Sequence, residues 1–173
     1  MIGLDSFYKL KYIHRYTSNV RIHTENVAEH SFFVSCIALK IIALNPGVFD
    51  AAKVLSMALV HDWAEAWITD VSHKVKRDYP GIKKELKSAE YKIIEANYPE
   101  FKDILFELDE GMTKEAVLVH YADVVQCVQY IRNEISLGNN TQEFDLMLEE
   151  SLQRQSRMSA LMAELNINLY KEL

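Results

Sequence analysis

The sequence predicts an all-α fold, and three observations support that prediction. Apolar residues recur at spacings of three to five through long segments. Residues that interrupt helices are few, with 5 glycines and 3 prolines in 173 residues, and they fall at wide intervals. No alternating pattern bounded by hairpin turns indicates a β-strand, and no repeat of about 20 to 50 residues is found. We therefore expect one domain over residues 1–173, built as a bundle of helices around one core.

The predicted helices follow one another along the chain. The first spans Val27–Leu44 and begins after Asn26, a favourable N-cap residue. A long later helix begins after Thr113 and runs to Leu137, where Gly138 and the two residues after it end it. The other predicted helices cover residues 49–61, 82–98, 100–110 and about 142–164.

Composition and charge exclude several classes of protein. With 49% apolar and 25% charged residues, the chain is neither disordered nor collagen-like nor stapled by disulfides. A net charge of -6 argues against binding a nucleic acid polymer, because such binding depends on lysine and arginine. Cys36 and Cys127 lie in apolar helical segments, which favours a reducing compartment. We find no signal-peptide pattern and no apolar run near the roughly 20 residues that span a bilayer, so we expect a soluble cytoplasmic protein without a membrane partner.

Four titratable residues stand out because they lie in or beside predicted core helices. His61 and Asp62 follow the apolar run of residues 54–60, where an unpaired carboxylate is costly. His30 lies near the start of the first long helix, and Asp123 lies within the later one. Each residue alone has an ordinary interpretation as a buried, hydrogen-bonded side chain. Two imidazoles and two carboxylates converging from three helices form a ligand set suited to a divalent ion such as Zn, Mn, Co, Ni or Fe.

The order and separation of these four residues resemble the metal signature of the HD superfamily of phosphohydrolases. The surrounding segments resemble more narrowly the bacterial 5'-deoxynucleotidases and their short phage relatives that act as dATP triphosphohydrolases. The segments are RY at 15–16, NVR at 19–21, TENVAEHS at 24–31, HDWAE at 61–65, TD at 69–70, VK at 75–76 and YAD at 121–123. The resemblance covers roughly residues 7–140. It implies a helical bundle of the HD-domain type that holds one divalent metal ion, with Zn, Co or Mn expected.

By matching positions, the resemblance implies that His30, His61, Asp62 and Asp123 are the metal ligands. It also implies that Glu65, three residues after Asp62, is the catalytic carboxylate. A helix would place Glu65 about one turn along from Asp62, facing the same site. The alternative is a solvated glutamate at a helix end.

Further implied roles carry a competing interpretation. Asp70 matches a second catalytic acid, although helix N-capping by Thr69 or Asp70 competes with that role. Arg15 matches the arginine that holds the phosphate through its bidentate fork. Lys76 is a candidate for phosphate binding, or else one charge of the basic run at residues 74–77.

The expected walls of the substrate pocket are less distinct. Tyr16 stands where tryptophan is frequent in these enzymes, and it is a candidate to bind base or sugar, together with the small Ser18. His23 stands where the deoxynucleotidases have an arginine, which removes one expected phosphate contact. For Trp63 and Trp67, core packing is favoured over base stacking. His14 and His73 receive no role, and His120 is a candidate to support Asp123, three residues away on the same helix.

The implied reaction is attack of a metal-activated water on the 5'-phosphorus of a deoxyribonucleotide. The substrate is dNMP, giving deoxynucleoside and phosphate, or a dNTP such as dATP, giving deoxynucleoside and triphosphate. An HD phosphodiesterase and a non-catalytic nucleotide sensor with a structural metal stay open as alternatives. Glu65, Asp70 and Arg15 favour the enzyme, since a structural metal site is closed and needs none of them. The resemblance also implies a homo-oligomer, and the last helix could form its interface or cap the core.

Overall fold

The computed structural model describes residues 5–170 and confirms the all-α prediction. Within that range the one β-type pairing is an isolated bridge between His14 and Asn26. A 3-10 turn at Pro99–Phe101 accompanies the α-helices. These helices are α1 (Asp5–Leu10), α2 (Val27–Leu44), α3 (Ala51–Val60), α4 (Glu65–Ile68), α5 (His73–Asp78), α6 (Pro80–Asn97), α7 (Lys102–Glu110), α8 (Lys114–Ser136) and α9 (Gln142–Glu164).

The main core lies where α2 and α3 pack against α8. Val34 and Ile41 of α2, Met57 of α3 and Leu118 of α8 are fully buried there. α7 covers one side of α8 and α9 another, so α8 is buried along most of its length. Buried helices offer fixed positions for polar side chains, and the candidate site uses α2, α3 and α8.

Side-chain caps fix where the long helices begin. The Asn26 side chain accepts from the backbone N–H of Glu29 at 2.9 Å, and the Glu29 side chain accepts from the backbone N–H of Asn26. These two hydrogen bonds form a capping box. α3 begins later than expected, at Ala51, because Asp50 accepts from the Lys53 N–H at 3.0 Å. The short helices α1, α4 and α5 were not predicted, since four to six residues carry too little periodicity.

α2 is more apolar than the sequence analysis allowed. Its 18 residues have a mean hydropathy of 1.7, so by length and composition alone this helix could cross a membrane. The expectation that no apolar run approaches membrane length was therefore too strong. Core helices of globular proteins have the same composition, and α2 packs against α3 and α8 and carries the buried His30.

α9 caps the core. Phe144 and Met162 on its inner face are fully buried, while Leu152, Leu161 and Leu165 stay partly exposed. Of the two roles considered for the last helix, capping is the one it fulfils within a single chain.

Candidate metal centre and substrate pocket

Three core helices bring two imidazoles and two carboxylates together. His30 lies in the first turn of α2, His61 ends α3, Asp62 follows it, and Asp123 lies in the middle of α8. The Nε2 atom of His30 lies 3.1 Å from His61 Nε2, 3.3 Å from Asp123 Oδ1 and 3.6 Å from Asp62 Oδ2. We call these four side chains the ligand cluster.

The hydrogen bonds of the two imidazoles leave both Nε2 atoms free to act as ligands. The Nδ1–H of His30 donates to Gln126 Oε1 at 2.6 Å, and the Nδ1–H of His61 donates to the Ala58 carbonyl oxygen at 2.8 Å. Each neutral ring then carries a lone pair on Nε2. Two lone pairs and two carboxylates facing one another at about 3 Å repel unless a proton or a metal cation lies among them. The chemistry of this donor set therefore fits a divalent metal ion.

The spacing of the donor atoms also fits an ion. Ligands about 2.0–2.2 Å from a metal, at tetrahedral or octahedral angles, lie about 3.0–3.5 Å from one another. The ligand atoms of His30, His61 and Asp123 all lie within 4.8 Å of one another. Asp62 falls outside that tight group, although its Oδ2 lies 3.1 Å from His61 Nε2.

The charges of the ligand cluster shift its pKa values. Burial alone would raise the pKa of Asp62, but attraction and hydrogen bonding to His61, together with the charges of His30 and Arg15, outweigh burial and the pKa lies well below its ordinary value. The pKa of Asp123 is likewise low, because hydrogen bonding and attraction to His30 outweigh burial. Burial would lower the pKa of His61, yet Asp62 raises it overall. Both carboxylates are thus anionic at neutral pH and ready to bind a cation.

Glu65 and Asp70 form a second acidic pair beside the ligand cluster. Glu65 is 6% exposed, and its Oε2 is buried without a hydrogen-bond partner. Burial and then the charges of Asp62 and Asp70 raise the pKa of Glu65 well above its ordinary value. Burial also raises the pKa of Asp70, helped by Asp62 and opposed by Arg15. A carboxylate with a raised pKa is suited to take a proton near neutral pH.

The backbone between these two acids is strained. Thr69 ends α4 with φ at 63°, a conformation that a β-branched residue rarely adopts. The suggestion that Thr69 or Asp70 is a helix N-cap is wrong, because Ser72 is the N-cap of α5 and accepts from the Val75 N–H, while Thr69 is the C-cap of α4. Strain of this kind persists where the surrounding structure fixes it, often at functional sites.

Arg15 reaches the ligand cluster from the loop of residues 11–26, which joins α1 to α2. Its backbone N–H donates to the Glu25 carbonyl at 2.9 Å, and its Nε lies 3.8 Å from Glu25 Oε2. Its Nη2 approaches the Cys127 sulfur at 3.5 Å, whereas its Nη1 is buried without a hydrogen-bond partner. A buried guanidinium with one free edge is a ready anion site.

The same loop lies along α8 and is fastened there at successive turns. Each contact joins a loop atom to a side chain of α8 or of the turn after it. Gln126 donates to Glu25, and the Tyr130 hydroxyl donates to the His23 carbonyl at 2.7 Å. Glu134 accepts from the N–H groups of Ile22 and His23 at 2.8 and 2.6 Å. Asn139 donates to the Val20 carbonyl at 2.9 Å. Glu134 is fully buried, so the loop position depends on this carboxylate. None of these partners of the loop was singled out from the sequence.

A pocket of about 340 Å³ opens over the ligand cluster. This volume lies within the range of small-molecule sites. Of the expected site residues, the pocket is lined by Arg15, Tyr16, Ser18, His61, Asp62, Glu65, Asp70, Lys76 and Asp123, while His30 lies fully buried beneath them. The lining also includes His73, Arg77 and Arg154, which the sequence analysis did not assign. Arg154 reaches the pocket from α9, with Nη2 4.0 Å from Asp123 Oδ2.

Other residues singled out from the sequence lie elsewhere. His120 donates to the Leu108 carbonyl at 2.8 Å and braces the end of α7, so its suggested support of Asp123 is wrong. Trp63 packs among aromatic rings that include Phe7 and Tyr98, which confirms the core-packing interpretation for this residue. The same interpretation is wrong for Trp67, which is 40% exposed. Cys36 and Cys127 are both free thiols.

Comparison with known proteins identifies the family. A family model described as 5'-deoxynucleotidase YfbR-like matches residues 4–170. This chain belongs to the YfbR-like family. The 5'-deoxynucleotidase YfbR of Salmonella paratyphi B is 30% identical over 171 residues, which cover 90% of this chain and 85% of that protein.

Solved structures share the fold. This YfbR-like chain resembles a protein from Pyrococcus horikoshii OT3, with a TM-score of 0.72 and 29% identity. The match covers 94% of this chain and 96% of that one. It also resembles an HD-domain phosphohydrolase from Listeria innocua, with a TM-score of 0.75, 22% identity, and coverage of 94% and 84%. The cyanophage S-2L HD phosphohydrolase DatZ, solved with dA and one catalytic Zn²⁺ ion, has a TM-score of 0.65 at 18% identity, with coverage of 95% and 96%. The chain is therefore a hydrolase of the YfbR type with the HD-domain fold, and its His/Asp group can hold a metal ion.

Proposed function

We propose that this protein hydrolyses the 5'-phosphate ester of deoxyribonucleotides, with one divalent cation held by the ligand cluster. The observation that carries the proposal is a pair of unsatisfied groups beside that cluster. Glu65 Oε2 and Arg15 Nη1 are both buried without hydrogen-bond partners, and both residues line the pocket. Unsatisfied buried polar groups are costly, so a site that keeps two of opposite charge is prepared for a ligand.

Each group has a distinct role in this proposal. A divalent cation, when bound, lowers the pKa of water and neutralises charge on phosphoryl oxygens. Glu65 holds the attacking water and takes its proton, and Asp70 beside it orients the water or protonates the leaving oxygen. Arg15 binds the phosphate through its free edge and stabilises the charge that develops during attack. Zn, Co or Mn suits the two nitrogen and two oxygen donors.

Our inference about the number of phosphates is based on the cations that line the pocket. Lys76, Arg77 and Arg154 line it, and positive charge from Arg154 and Arg77 helps to lower the pKa of His73 after burial. Two of these cations are partly neutralised, since Arg77 pairs with Glu150 and Arg154 lies near Asp123. We infer that deoxyadenosine nucleotides are among the substrates and that these cations accept a triphosphate as well as a monophosphate. The dA bound to DatZ supports this inference through fold similarity alone.

The alternatives fit the site less well. A sensor with a structural metal needs neither a buried unpaired Glu65 nor Arg15 beside the ion. A phosphodiesterase acting on cyclic dinucleotides would need room for a second nucleoside. The pocket of about 340 Å³ is near the lower end of the range for ligand sites, which favours a single nucleotide.

Product analysis tests the proposal. Metal-reconstituted protein is incubated with dNMP, dNTP and NMP panels, with and without chelator, and the products are separated by chromatography. Release of deoxynucleoside that the chelator abolishes supports the proposal, and the inorganic product reports the number of phosphates. Absence of turnover on every nucleotide would overturn it and favour the sensor or the phosphodiesterase.

We also propose that the protein is a homo-oligomer. Phe32, Phe33 and Leu39 on α2 are 60%, 50% and 51% exposed, and such apolar patches mark interaction surfaces. Light scattering during size-exclusion chromatography tests this, with Phe33→Ser expected to shift the mass towards the monomer. A cytoplasmic location stays a prediction.

A further inference from the structure

Gln126 is a buried amide that touches one member of the ligand cluster without belonging to it. It is 4% exposed and lies on α8, three residues after Asp123. Its Oε1 accepts from His30 Nδ1 at 2.6 Å, and its Nε2 donates to Glu25 Oε1. Both ends of the side chain therefore have a partner in the interior.

These partners allow one orientation of the amide. His30 Nε2 faces the ligand cluster, so its Nδ1 must carry the proton and needs an acceptor. Burial raises the pKa of Glu25 and the charge of Arg15 opposes that rise, and the Oε1 atom of Glu25 is the acceptor for the Gln126 amide. Gln126 satisfies both requirements at once, and a carboxylate or an ammonium in its place would satisfy only one.

The other end of this chain of contacts reaches Arg15. Glu25 is 4% exposed and lies within 3.8 Å of the Arg15 Nε. It also accepts the Arg15 backbone N–H through its carbonyl at 2.9 Å. The Glu25 carboxylate therefore attracts the guanidinium at its Nε side without a hydrogen bond, since Glu25 Oε2 has no hydrogen-bond partner, and the unpaired Arg15 Nη1 is left for a ligand.

We propose that Gln126 is a positioning residue that ties the metal ligand His30 to the phosphate-binding Arg15 through Glu25. The proposal rests on the proposed function, because it assumes a cation at His30 and a phosphate at Arg15. A cation on His30 Nε2 makes its Nδ1–H a stronger donor to Gln126. Gln126 in turn holds Glu25, and Glu25 holds Arg15. Cation and phosphate binding then support each other, and such coupling is reciprocal.

The first test measures binding without turnover. Co²⁺ affinity is obtained by absorbance titration, and the affinity of the Co²⁺-loaded protein for inorganic phosphate by calorimetry. Gln126→Leu leaves His30 Nδ1 and Glu25 without their partner, so we expect Co²⁺ affinity to fall about 10–100-fold and phosphate affinity to fall with it. Gln129→Leu is the matched control, since Gln129 lies on the same helix with its side chain exposed, and it should change neither.

A second variant separates the two ends. Glu25→Gln keeps an acceptor for the Gln126 amide but removes the charge beside Arg15. We expect Co²⁺ affinity to stay near the wild-type value, while phosphate affinity falls about tenfold because the ligand must now order the guanidinium.

The double variant Glu25→Gln, Gln126→Glu reverses the polarity of the link. The new carboxylate accepts from His30 Nδ1, and the new amide donates to that carboxylate. Co²⁺ affinity should return to the wild-type range, whereas phosphate affinity should stay low. If Gln126→Leu fails to fold by circular dichroism, Gln126→Met takes its place in the Co²⁺ comparison, because methionine keeps the length of the side chain and its sulfur is only a weak acceptor.

Three results would overturn the proposal. Equal Co²⁺ affinity in wild type and folded Gln126→Leu would show that Gln126 does not support cation binding through His30. Unchanged or tighter phosphate binding in Glu25→Gln, or recovery of phosphate binding in the double variant, would show that Glu25 does not position Arg15 for phosphate. Failure of the wild type to bind Co²⁺ would instead overturn the proposed function, and this proposal with it.

Discussion

The rings of Tyr16 and Tyr130 stack with centroids 4.4 Å apart and planes at 4°. Tyr130 thereby covers one face of the Tyr16 ring, and the Arg15 guanidinium carbon lies 5.4 Å from the centroid of the Tyr16 ring. The Tyr16 backbone has φ at 56°, a conformation that needs support from its surroundings. The stack therefore fixes the loop that carries Arg15, and it leaves limited ring surface for a nucleobase.

We expect Tyr16→Ala to weaken the binding of all nucleotides to a similar extent. Loss of an aromatic pair costs about 0.5–1.5 kcal/mol, so KM should rise roughly 2–10-fold for every base, with a lower Tm. Steady-state kinetics on the four dNMPs measures this effect. Tyr12→Ala is the control, because Tyr12 is 67% exposed and lies outside the candidate pocket. A loss confined to one base would show that Tyr16 contacts the base instead.

Glu65→Gln should abolish hydrolysis while the protein keeps its metal. General base catalysis contributes about 10²–10⁴-fold, and we expect kcat to fall by that factor. Metal content by mass spectrometry and kcat on the best substrate measure the two effects. Glu29→Gln serves as a control, since Glu29 is exposed and outside the pocket. Full activity in Glu65→Gln would remove Glu65 from the mechanism.

The same substitution should stabilise the metal-free protein at neutral pH. Burial raises the pKa of Glu65, so the folded state binds its proton more tightly than the unfolded state does. That contribution is fully present below the unfolded pKa and is lost as pH rises through the folded pKa. Glutamine has no proton to lose, so its Tm advantage should grow with pH, by about 2–4 °C for each kcal/mol. Thermal melts in chelator between pH 5 and 8 measure this, and a constant difference would contradict it.

Activity should depend on the same proton. A base with a raised pKa is protonated over more of the acidic range, so kcat/KM should fall as pH decreases through a value above the ordinary 4.5 of glutamate. A bound cation opposes the shift, because it offsets the charge of Asp62. The pH profile of the metal-loaded enzyme on dAMP locates the acidic limb. A limb at the ordinary pKa or below would mean that burial does not control Glu65 in the loaded enzyme.

Metal removal should lower the thermal stability of the protein. A ligand that binds the folded state alone contributes about 2.7 kcal/mol at 100 times its Kd, or roughly 5–10 °C for a chain of this size. Melts with chelator and then with added Zn²⁺ measure the shift. Asp123→Asn removes one negative ligand, and its Tm should respond less to Zn²⁺. An equal response in this variant would place the ion away from Asp123.

Arg154→Gln should separate triphosphate from monophosphate substrates. Arg154 lines the pocket with its Nη2 4.0 Å from Asp123 Oδ2, and in the proposed function it binds a phosphate beyond the one that Arg15 binds. We expect KM for dATP to rise about tenfold and KM for dAMP to change little, since charged hydrogen bonds are worth about 1.5–3 kcal/mol. Arg157→Gln is the control, because Arg157 is on the same helix and exposed. Equal changes for both substrates would contradict a role in reading phosphate number.

Long periodic helices could be predicted from the sequence, and short polar contacts could not. α2 matches its predicted bounds because Asn26 and its apolar face both mark them. His30 and Asp123 drew notice because charge within an apolar helix is unusual, although their role as ligands stays a prediction. Gln126 and Glu134 gave no such signal, since their partners lie 101 and 111–112 residues away in a loop.

The fastening of one loop along α8 also sets a rule for the length of that helix. Asp123, Gln126, Tyr130 and Glu134 recur every three or four residues, so they share a face. One inserted residue would turn everything beyond it by about 100°, and would carry Glu134 away from the N–H groups it accepts. A single insertion or deletion between Asp123 and Glu134 would therefore separate several of these contacts at once, whereas a substitution removes only the contacts of one side chain. Natural variation in length is therefore expected in the connections between helices and not in this segment.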